Sequence, residues 1–329
     1  MPTFPYSGSI TDVAGIEVGH FTETRRPTGC SVVIARAGAV CGADVRGGAP
    51  GTRETDLLDP SNLVDTVHAV LLAGGSAWGL DAAGGVMHWL EDQGIGLQVG
   101  PGRIPIVPAA VLFDLYLGDT RIRPDAKAGY AACEAASANA PAQGCVGAGT
   151  GAVVGKIFGA DRAMKGGIGT ASVTANGVTV GALVACNALG DVLDPETQQI
   201  IAGARGNDGR GFLDSRRALL AGREPKRLVA AANTTIGVIA TDAVLGKAQA
   251  ARLATVGHDG FARAINPTHT MLDGDALFAL ATGASGRTLD MMTLGTMAAE
   301  AVARAIVNGV RAARGVSAGG LSVPAAGEI

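Results

Sequence analysis

The sequence predicts a folded protein that combines α-helices and β-strands, and three observations lead to this prediction. Of its 329 residues, 47% are hydrophobic and 17% are charged, at a net charge of −3, so the chain can bury a large core. Short apolar runs that end in glycine are typical of strands, and segments with apolar residues three or four positions apart are typical of helices. The 50 glycines, about twice the usual share of ~7%, supply the turns.

The first third of the chain has the pattern of short strands joined by glycine-rich turns. Residues 16–20, 29–35 and 39–48 predict three strands, with hairpins as the simplest connection. Residues 67–73 predict a buried strand that ends at two glycines, and the apolar spacing over 79–93 predicts a helix after it. A strand therefore leads directly into a helix here.

The rest of the chain contains both patterns, without a visible fixed-period repeat. We predict helices over 124–138, 246–265 and 289–313, and strands over 151–158, 169–175, 178–187 and 276–282.

One segment, 194–227, departs from both patterns because charged residues and glycines dominate it. We predict an exposed linker there. Directly after it the composition changes to the apolar run 228–241, which predicts a buried strand. A segment open to cleavage beside a buried strand is the feature of this sequence that ordinary structure explains least well.

Composition and charge argue against several function classes. With 26 basic and 29 acidic residues, the chain has no field to attract a polyanion, so we expect no nucleic-acid partner. The N-terminus lacks a signal-peptide pattern and no long stretch is free of charges and glycines, so we expect a cytoplasmic protein without membrane spans. The five cysteines form no C-x-x-C pair and the five histidines form no metal motif, so we expect no disulfide, no metal and no cofactor.

The glycine-rich stretch 147–156 lacks the spacing of a phosphate-binding loop. Such a loop needs a glycine five positions before Gly-Lys and a Ser or Thr after it, where this chain has Thr150 and Ile157. Lys156 then has two interpretations: a strand-end lysine that extends to solvent, or a cation placed in a cleft.

The stretch Asn233-Thr234-Thr235-Ile236 carries a chemical hypothesis. A threonine hydroxyl is a poor nucleophile unless a base lies beside it, and a free α-amine on the same residue, with a pKa of about 7.7–8.0, is such a base. Attack of the Thr234 hydroxyl on the preceding carbonyl, followed by hydrolysis of the ester, would create that amine. The alternative is that both threonines are ordinary β-branched strand residues.

Two carboxylates, Asp273 and Asp275, stand two residues apart at the edge of an apolar strand. Period two directs both to one side unless Gly274 bulges the strand, and paired acids in a semi-buried place cost free energy unless they orient or neutralise a cation. The alternative is an ordinary Asp-Gly-Asp turn.

Several motifs together resemble one family. They are Thr11-Asp12-Val13, Val18-Gly19-His20, Asn233-Thr234-Thr235-Ile236, Ala240-Thr241-Asp242, and His269-Thr270-Met271-Leu272-Asp273-Gly274-Asp275 before Leu277-Phe278-Ala279. Over residues 10–313 the chain is similar to the L-aminopeptidase/D-esterase family of N-terminal-nucleophile hydrolases, which includes β-peptidyl aminopeptidases and the nylon-oligomer (6-aminohexanoate) hydrolase. Singly these motifs are unspecific, and jointly they are specific.

The resemblance implies an α+β fold, a four-layer αββα sandwich of the N-terminal-nucleophile and ornithine acetyltransferase-like type. It implies a single catalytic domain over 1–329 that cuts itself into fragments 1–233 and 234–329, which stay together. It also implies a homotetramer of such αβ units.

For the site, the resemblance implies that Thr234 is the nucleophile and that Lys156 lies in its pocket. Asn187 matches the oxyanion donor. Asp273 and Asp275 match the acidic pair of the nylon-oligomer hydrolase, where the aminopeptidases more often have Ser and Glu and use Ser as the nucleophile.

One position departs from the family pattern, because Phe113 stands where relatives have a tyrosine. A phenolic hydroxyl is therefore absent there, and Asn187 would carry more of the oxyanion stabilisation. The stretch 74–80 also matches the family, and we assign its Ser76 and Trp78 to the lining of the pocket.

The expected activity is hydrolysis of an amide bond in a small peptide, a β-amino acid amide or a linear 6-aminohexanoate oligomer. No sequence feature selects among these substrates. Two alternatives stay open: an amino-acid acyltransferase on the same fold, and a non-catalytic oligomeric binding protein in which Thr234 is only a strand residue.

Overall fold

The computed structural model describes residues 6–207, 209, 211–226 and 233–329. The α-helices in these residues are α1 (Ala82–Asp92), α2 (Ala126–Glu134), α3 (Ser215–Leu220), α4 (Lys247–Ala264) and α5 (Met291–Ala312). The strands are β1 (Glu17–Thr22), β2 (Gly29–Val45), β3 (Thr52–Arg53), β4 (Thr66–Ala73), β5 (Leu97–Val99), β6 (Gly102–Ile104), β7 (Ala109–Val111), β8 (Val153–Val154), β9 (Met164–Lys165), β10 (Gly167–Ala175), β11 (Val178–Asn187), β12 (Asp191–Leu193), β13 (Ile200–Ala202), β14 (Thr234–Thr241), β15 (Ile265–Asn266), β16 (Ala276–Ala281), β17 (Val316–Ala318) and β18 (Leu321–Val323).

A mixed sheet forms the centre of the described chain. Its strand order is β10-β11-β14-β16-β2-β4-β7-β3, and β1 also pairs with β2. Strands β14 and β16 are parallel, as are β4 and β7, while the other neighbours are antiparallel. The long strand β2 joins the two halves of the sheet, because residues 40–45 pair with β16 and residues 30–34 pair with β4.

Three apolar cores separate four layers of structure. One core lies between α4, α5 and the half of the sheet that holds β10, β11, β14 and β16. A second lies between the two halves of the sheet, and a third lies between β2, β4 and helices α1 and α2. This order of layers, helix, sheet, sheet, helix, confirms the predicted αββα sandwich.

Alternation along the strands explains why both faces of each half are buried. In β16, Leu277 and Ala279 face α4 and α5, whereas Phe278 and Leu280 face the core between the two halves. Successive side chains of a strand point to opposite faces, so a strand that is apolar at every position is suited to an interior layer.

Helix α5 lies unusually close to β10 because glycines face each other there. A Cβ atom on Gly169 would lie 2.2 Å from the carbonyl oxygen of Ala305 and from the backbone nitrogen of Gly309. Any side chain larger than hydrogen would push the helix away from the sheet.

Three of the predicted strands differ from the structure. The separate strands expected over 29–35 and 39–48 are one continuous strand, because Gly38, at a φ of +85°, belongs to an irregularity in the pairing with β4 rather than to a hairpin turn. The strand expected over 151–158 is only Val153–Val154, since Gly155 takes a φ of +70° and redirects the chain. Lys156 is therefore not a strand residue.

The predicted linker 194–227 contains ordered structure where it is described. It includes β13 and α3, and Asp191 holds the start of α3 by accepting hydrogen bonds from the backbone and hydroxyl of Ser215 at 2.7 and 2.8 Å. The segment is thus partly packed against the domain rather than exposed throughout. Residues 208, 210 and 227–232 of the predicted linker and the strand after it lie outside the described residues.

None of the helices in the described part of the chain combines the length and apolar character needed to cross a membrane.

All five cysteines are free thiols, and four of them are buried core residues.

We expect Gly169→Ala to lower the free energy of unfolding by about 1–3 kcal/mol, because the added methyl group overpacks the contact with α5. Gly84→Ala in α1 is the matched control, since its Cβ would meet no atom within 4 Å and alanine favours a helix over glycine by about 0.5–1 kcal/mol. Urea unfolding of the two variants measures both effects. Equal stability of the two variants would contradict the close packing described.

Candidate active site

Thr234 is the first residue of β14 and lies at the end of the sheet where three strands meet. Its cross-strand partner in β11 is Asn187, the last residue of that strand. On the other side, Asn233 bridges to Asp273, just before β16 begins. The sheet therefore places Thr234, Asn187 and Asp273 together, and all three are at most 3% exposed.

The carbonyl oxygen of Asn233 receives two donors in the uncut chain. The hydroxyl of Thr234 donates to it, and the backbone N–H of Gly274 donates to it at 2.9 Å. A Cβ on Gly274 would lie 2.9 Å from the Thr234 hydroxyl oxygen, so glycine leaves the space that the hydroxyl occupies. Sequence reasoning missed this function of Gly274, although the Asp-Gly-Asp spacing marked the position.

Lys156 is buried next to Asn187. Its Nζ donates to the backbone carbonyl of Asn187 at 2.8 Å and to the Asn187 Oδ1 at 2.9 Å. Burial lowers the pKa of Lys156 to about 7, although the carboxylates of Asp273 and Asp275 and the thiol of Cys186 act in the opposite direction. The interpretation as a lysine extending to solvent is wrong, and the lysine can exchange a proton near neutral pH.

The side chain of Asn187 is held on both of its polar atoms. Its Oδ1 also accepts the backbone N–H of Val153 at 2.9 Å, and its Nδ2 donates to the carbonyl oxygen of Phe113 at 3.1 Å. An amide nitrogen has two hydrogens, so one donor remains for a further acceptor.

The two acidic side chains lie in the loop before β16 and are at most 2% exposed. Asp273 accepts the backbone N–H of Thr270 at 2.8 Å, and Asp275 accepts the backbone N–H of Thr235 at 2.6 Å. Burial and the neighbouring Asp275 raise the pKa of Asp273 to about 6. The pair is therefore a buried acidic cluster at the nucleophile rather than an ordinary surface turn.

The three residues predicted to line the pocket have different positions. Phe113 reaches the site through its carbonyl group and packs its ring on Tyr116 at a centroid distance of 4.9 Å. The backbone of Ser76 donates to the Leu112 carbonyl at 2.9 Å, one residue away from Phe113. Trp78 is 63% exposed, and the guanidinium of Arg123 stacks on its ring. The described contacts do not link Trp78 to Thr234.

A buried ion pair supports the Phe113 loop from behind. Arg26 and Asp114 pair with both side chains fully buried, and Asp114 also accepts the hydroxyl of Thr28 at 2.6 Å and the backbone N–H of Gly75 at 3.0 Å. Asp114 thus connects Gly75 to the loop whose Phe113 carbonyl accepts the hydrogen bond from Asn187.

Within the residues that the structure describes, no His, Cys, Asp and Glu side chains group in a way that could hold a metal ion.

Comparison with known proteins places these residues in a family. Residues 8–321 match the model of Peptidase family S58. An uncharacterized aminopeptidase of Mycobacterium tuberculosis is 46% identical over 94% of this chain and 95% of the relative. A 6-aminohexanoate-oligomer endohydrolase of a Kocuria species is 33% identical over 82% of this chain and 74% of the relative.

Solved structures support the same grouping. A β-aminopeptidase of a Burkholderia species superposes with a TM-score of 0.71 at 27% identity, over 99% of this chain and 92% of that one. An L-aminopeptidase D-Ala-esterase/amidase of Ochrobactrum anthropi, described as a variant of the Ntn hydrolase fold, superposes with a TM-score of 0.72 at 22% identity, over 98% of this chain and 93% of that one. The second likeness concerns the fold alone.

The pKa of Asp273 predicts how stability depends on pH. The pKa of Asp273 is about 6 in the folded chain, against an ordinary value of 3.8, so the folded state binds the proton more tightly than the unfolded state. The free energy of unfolding therefore falls as pH rises from about 4 to 6 and Asp273 loses that proton. We expect the stability advantage of Asp273→Asn over the parent to grow by up to about 3 kcal/mol across that interval. Urea unfolding in a Thr234→Ala background, which keeps one polypeptide, measures it, and a difference independent of pH would contradict the raised pKa.

Proposed function

Because this chain belongs to Peptidase family S58 and is an amide-bond hydrolase, we propose that it cuts its own backbone between Asn233 and Thr234 and then uses Thr234 as an N-terminal nucleophile. The observation that carries the proposal is the pair of donors on the Asn233 carbonyl, the Thr234 hydroxyl and the Gly274 N–H. The nucleophile and an oxyanion donor thus already lie against the bond to be cut.

In the proposed self-cleavage, the Thr234 hydroxyl oxygen attacks the carbonyl carbon of Asn233. The Gly274 N–H stabilises the negative charge on the carbonyl oxygen, and the C–N bond breaks to leave an ester on Thr234. The broken C–N bond frees the α-amine of Thr234, and water then hydrolyses the ester, which gives a carboxylate on Asn233 and restores the Thr234 hydroxyl. Lys156, with a pKa of about 7, is the group suited to take and return the proton of the hydroxyl.

In the proposed catalytic cycle, the new α-amine takes the proton of the Thr234 hydroxyl as the oxygen attacks a substrate amide. The second Nδ2 hydrogen of Asn187 is the donor for the substrate oxyanion, and Phe113 offers no phenolic hydroxyl to share that task. The leaving amine departs with a proton, and water hydrolyses the acyl ester. Hydroxyl and amine on one residue need no further ordering before they react.

We propose a substrate that is a short amide with a free amino end, from the class of peptides, β-amino acid amides or linear 6-aminohexanoate oligomers. The names of the relatives, two of which are an oligomer endohydrolase and a β-aminopeptidase, support this class. Incubation of the cut enzyme with one member of each type, followed by mass spectrometry of the products, ranks the three substrate types.

The tetramer of αβ units and the cytoplasmic location stay predictions. Light scattering of the purified protein tests the tetramer.

We expect Thr234→Ala to remain one chain of 32.7 kDa on a denaturing gel, because the attacking hydroxyl is gone. Thr235→Ala is the matched control. The side chain of Thr235 points to the opposite face of the strand from that of Thr234, so its loss should leave self-cleavage intact. The unmutated chain should give fragments 1–233 and 234–329. Two fragments from Thr234→Ala would refute the proposed nucleophile.

We expect Lys156→Met to slow self-cleavage by about a hundredfold or more, because a proton-transfer group is lost while the buried volume is kept. Lys165→Met is the matched control: its lysine is also fully buried and donates to the carbonyls of Gly149, Ala152 and Gly166. The time course of fragment formation for the folded variants measures both. Similar losses in both variants would show that removing any buried ammonium suffices.

A further inference from the structure

The two oxygens of the Asp275 carboxylate have different partners. Oδ1 accepts the backbone N–H of Thr235, the residue after the nucleophile, at 2.6 Å. Oδ2 accepts the ring Nδ1–H of His269 at 2.9 Å, the backbone N–H of His269 at 3.2 Å and the hydroxyl of Thr268 at 3.1 Å. One oxygen thus holds the strand of Thr234, and the other is fixed by two consecutive residues.

The backbone of His269 has a conformation that serves this contact. Its φ is +55°, in the left-handed region, which is uncommon for a residue other than glycine. In this conformation, both the backbone N–H and the ring of His269 reach the same carboxylate oxygen. His269 thus adopts an uncommon backbone conformation at the position where it gives two hydrogen-bond donors to Asp275.

The surroundings of the ring determine which nitrogen carries the proton. Nε2 of His269 is buried and has no hydrogen-bond partner among the described residues. The ring lies edge-on to His258 at a centroid distance of 4.7 Å and near Phe261 at 5.9 Å. The Asp275 carboxylate can only accept a hydrogen bond, so the hydrogen of this contact lies on Nδ1 of His269.

His258 completes the packing around this ring. It is buried, and its Nε2 faces the backbone carbonyl of Asp44 at 3.1 Å. Burial lowers the pKa of His258 to about 4, so this neighbour is neutral at neutral pH. The His269 ring is therefore held between neutral aromatic groups and the carboxylate that it contacts.

We infer that His269 is a positioning residue for the reaction, which acts by orienting the carboxylate of Asp275 and, through it, the strand that begins at Thr234. The inference rests on the proposed function and assigns a role to a residue that touches neither the scissile bond nor Thr234 in the described contacts. The ring N–H of His269 makes the shortest of the three contacts on Oδ2, and without it the carboxylate is held less firmly, so its bond to the Thr235 N–H loses its direction. A misplacement of the nucleophile by about 1 Å costs on the order of a hundredfold in rate.

Two substitutions separate the hydrogen bond from the backbone conformation. Asparagine tolerates the left-handed region and keeps a side-chain N–H near the position of Nδ1, whereas glycine fits the backbone but removes the donor. We expect His269→Gly to lower the self-cleavage rate and kcat by about tenfold to a hundredfold with KM unchanged, and His269→Asn to stay within about threefold of the parent. Asn176→Gly is the matched control, because Asn176 is exposed, has a φ of +53° and should tolerate glycine without effect.

The outcomes distinguish this inference from the proposed function. If the unmutated chain neither cuts itself nor hydrolyses amides, the proposed function fails. If it does both and His269→Gly matches it, or His269→Asn is as slow as His269→Gly, the inference alone is overturned. If His269→Gly does not fold, His269→Ala replaces it, since alanine also removes the side-chain donor and adds no charge beside Asp275: slow Ala with fast Asn supports the inference, and equal rates overturn it.

Discussion

Strand β14 is hydrogen-bonded to β11 on one side and to β16 on the other, and the chemistry of the site depends on this pairing. The antiparallel register sets Thr234 opposite Asn187, and the parallel register brings Asp273 to Asn233. A shift by one residue would turn Thr234 to the other face of the sheet. Because both faces of β14 are packed against apolar cores, such a shift would also disrupt the packing on both sides, so the two cores hold the nucleophile in place.

The same packing explains why the charges at the site have unusual proton affinities. Lys156 and Asp273 are both at most 2% exposed, and burial disfavours the charged form of each. The lysine pKa falls to about 7 and the Asp273 pKa rises to about 6, so the two groups change charge close to neutral pH. Pairs of groups whose environments shift them in this way are typical of acid and base catalysis.

Much of the fold was predictable from the sequence because its long elements have clear periodicity. The apolar strand of β14 and the two final helices follow simple patterns, and the family motifs pointed to Thr234, Asn187 and the acidic pair. The local structure at Gly38 and Gly155 was not predictable, since a glycine with positive φ can form a hairpin turn, a bulge or a change of chain direction equally well. The role of the Gly274 N–H and the two bonds of His269 to Asp275 depend on how distant loops meet, which no local pattern encodes.

The proposed function depends on a backbone cut that creates the catalytic group at Thr234. Its most direct test follows freshly folded chain over time, with intact mass spectrometry for the cut fraction and hydrolysis of an amide substrate on the same samples. We expect the hydrolysis rate to rise in proportion to the amount of the fragment that begins at Thr234, and to be zero at the start. Full hydrolytic activity in a sample that contains only the uncut 329-residue chain would contradict it.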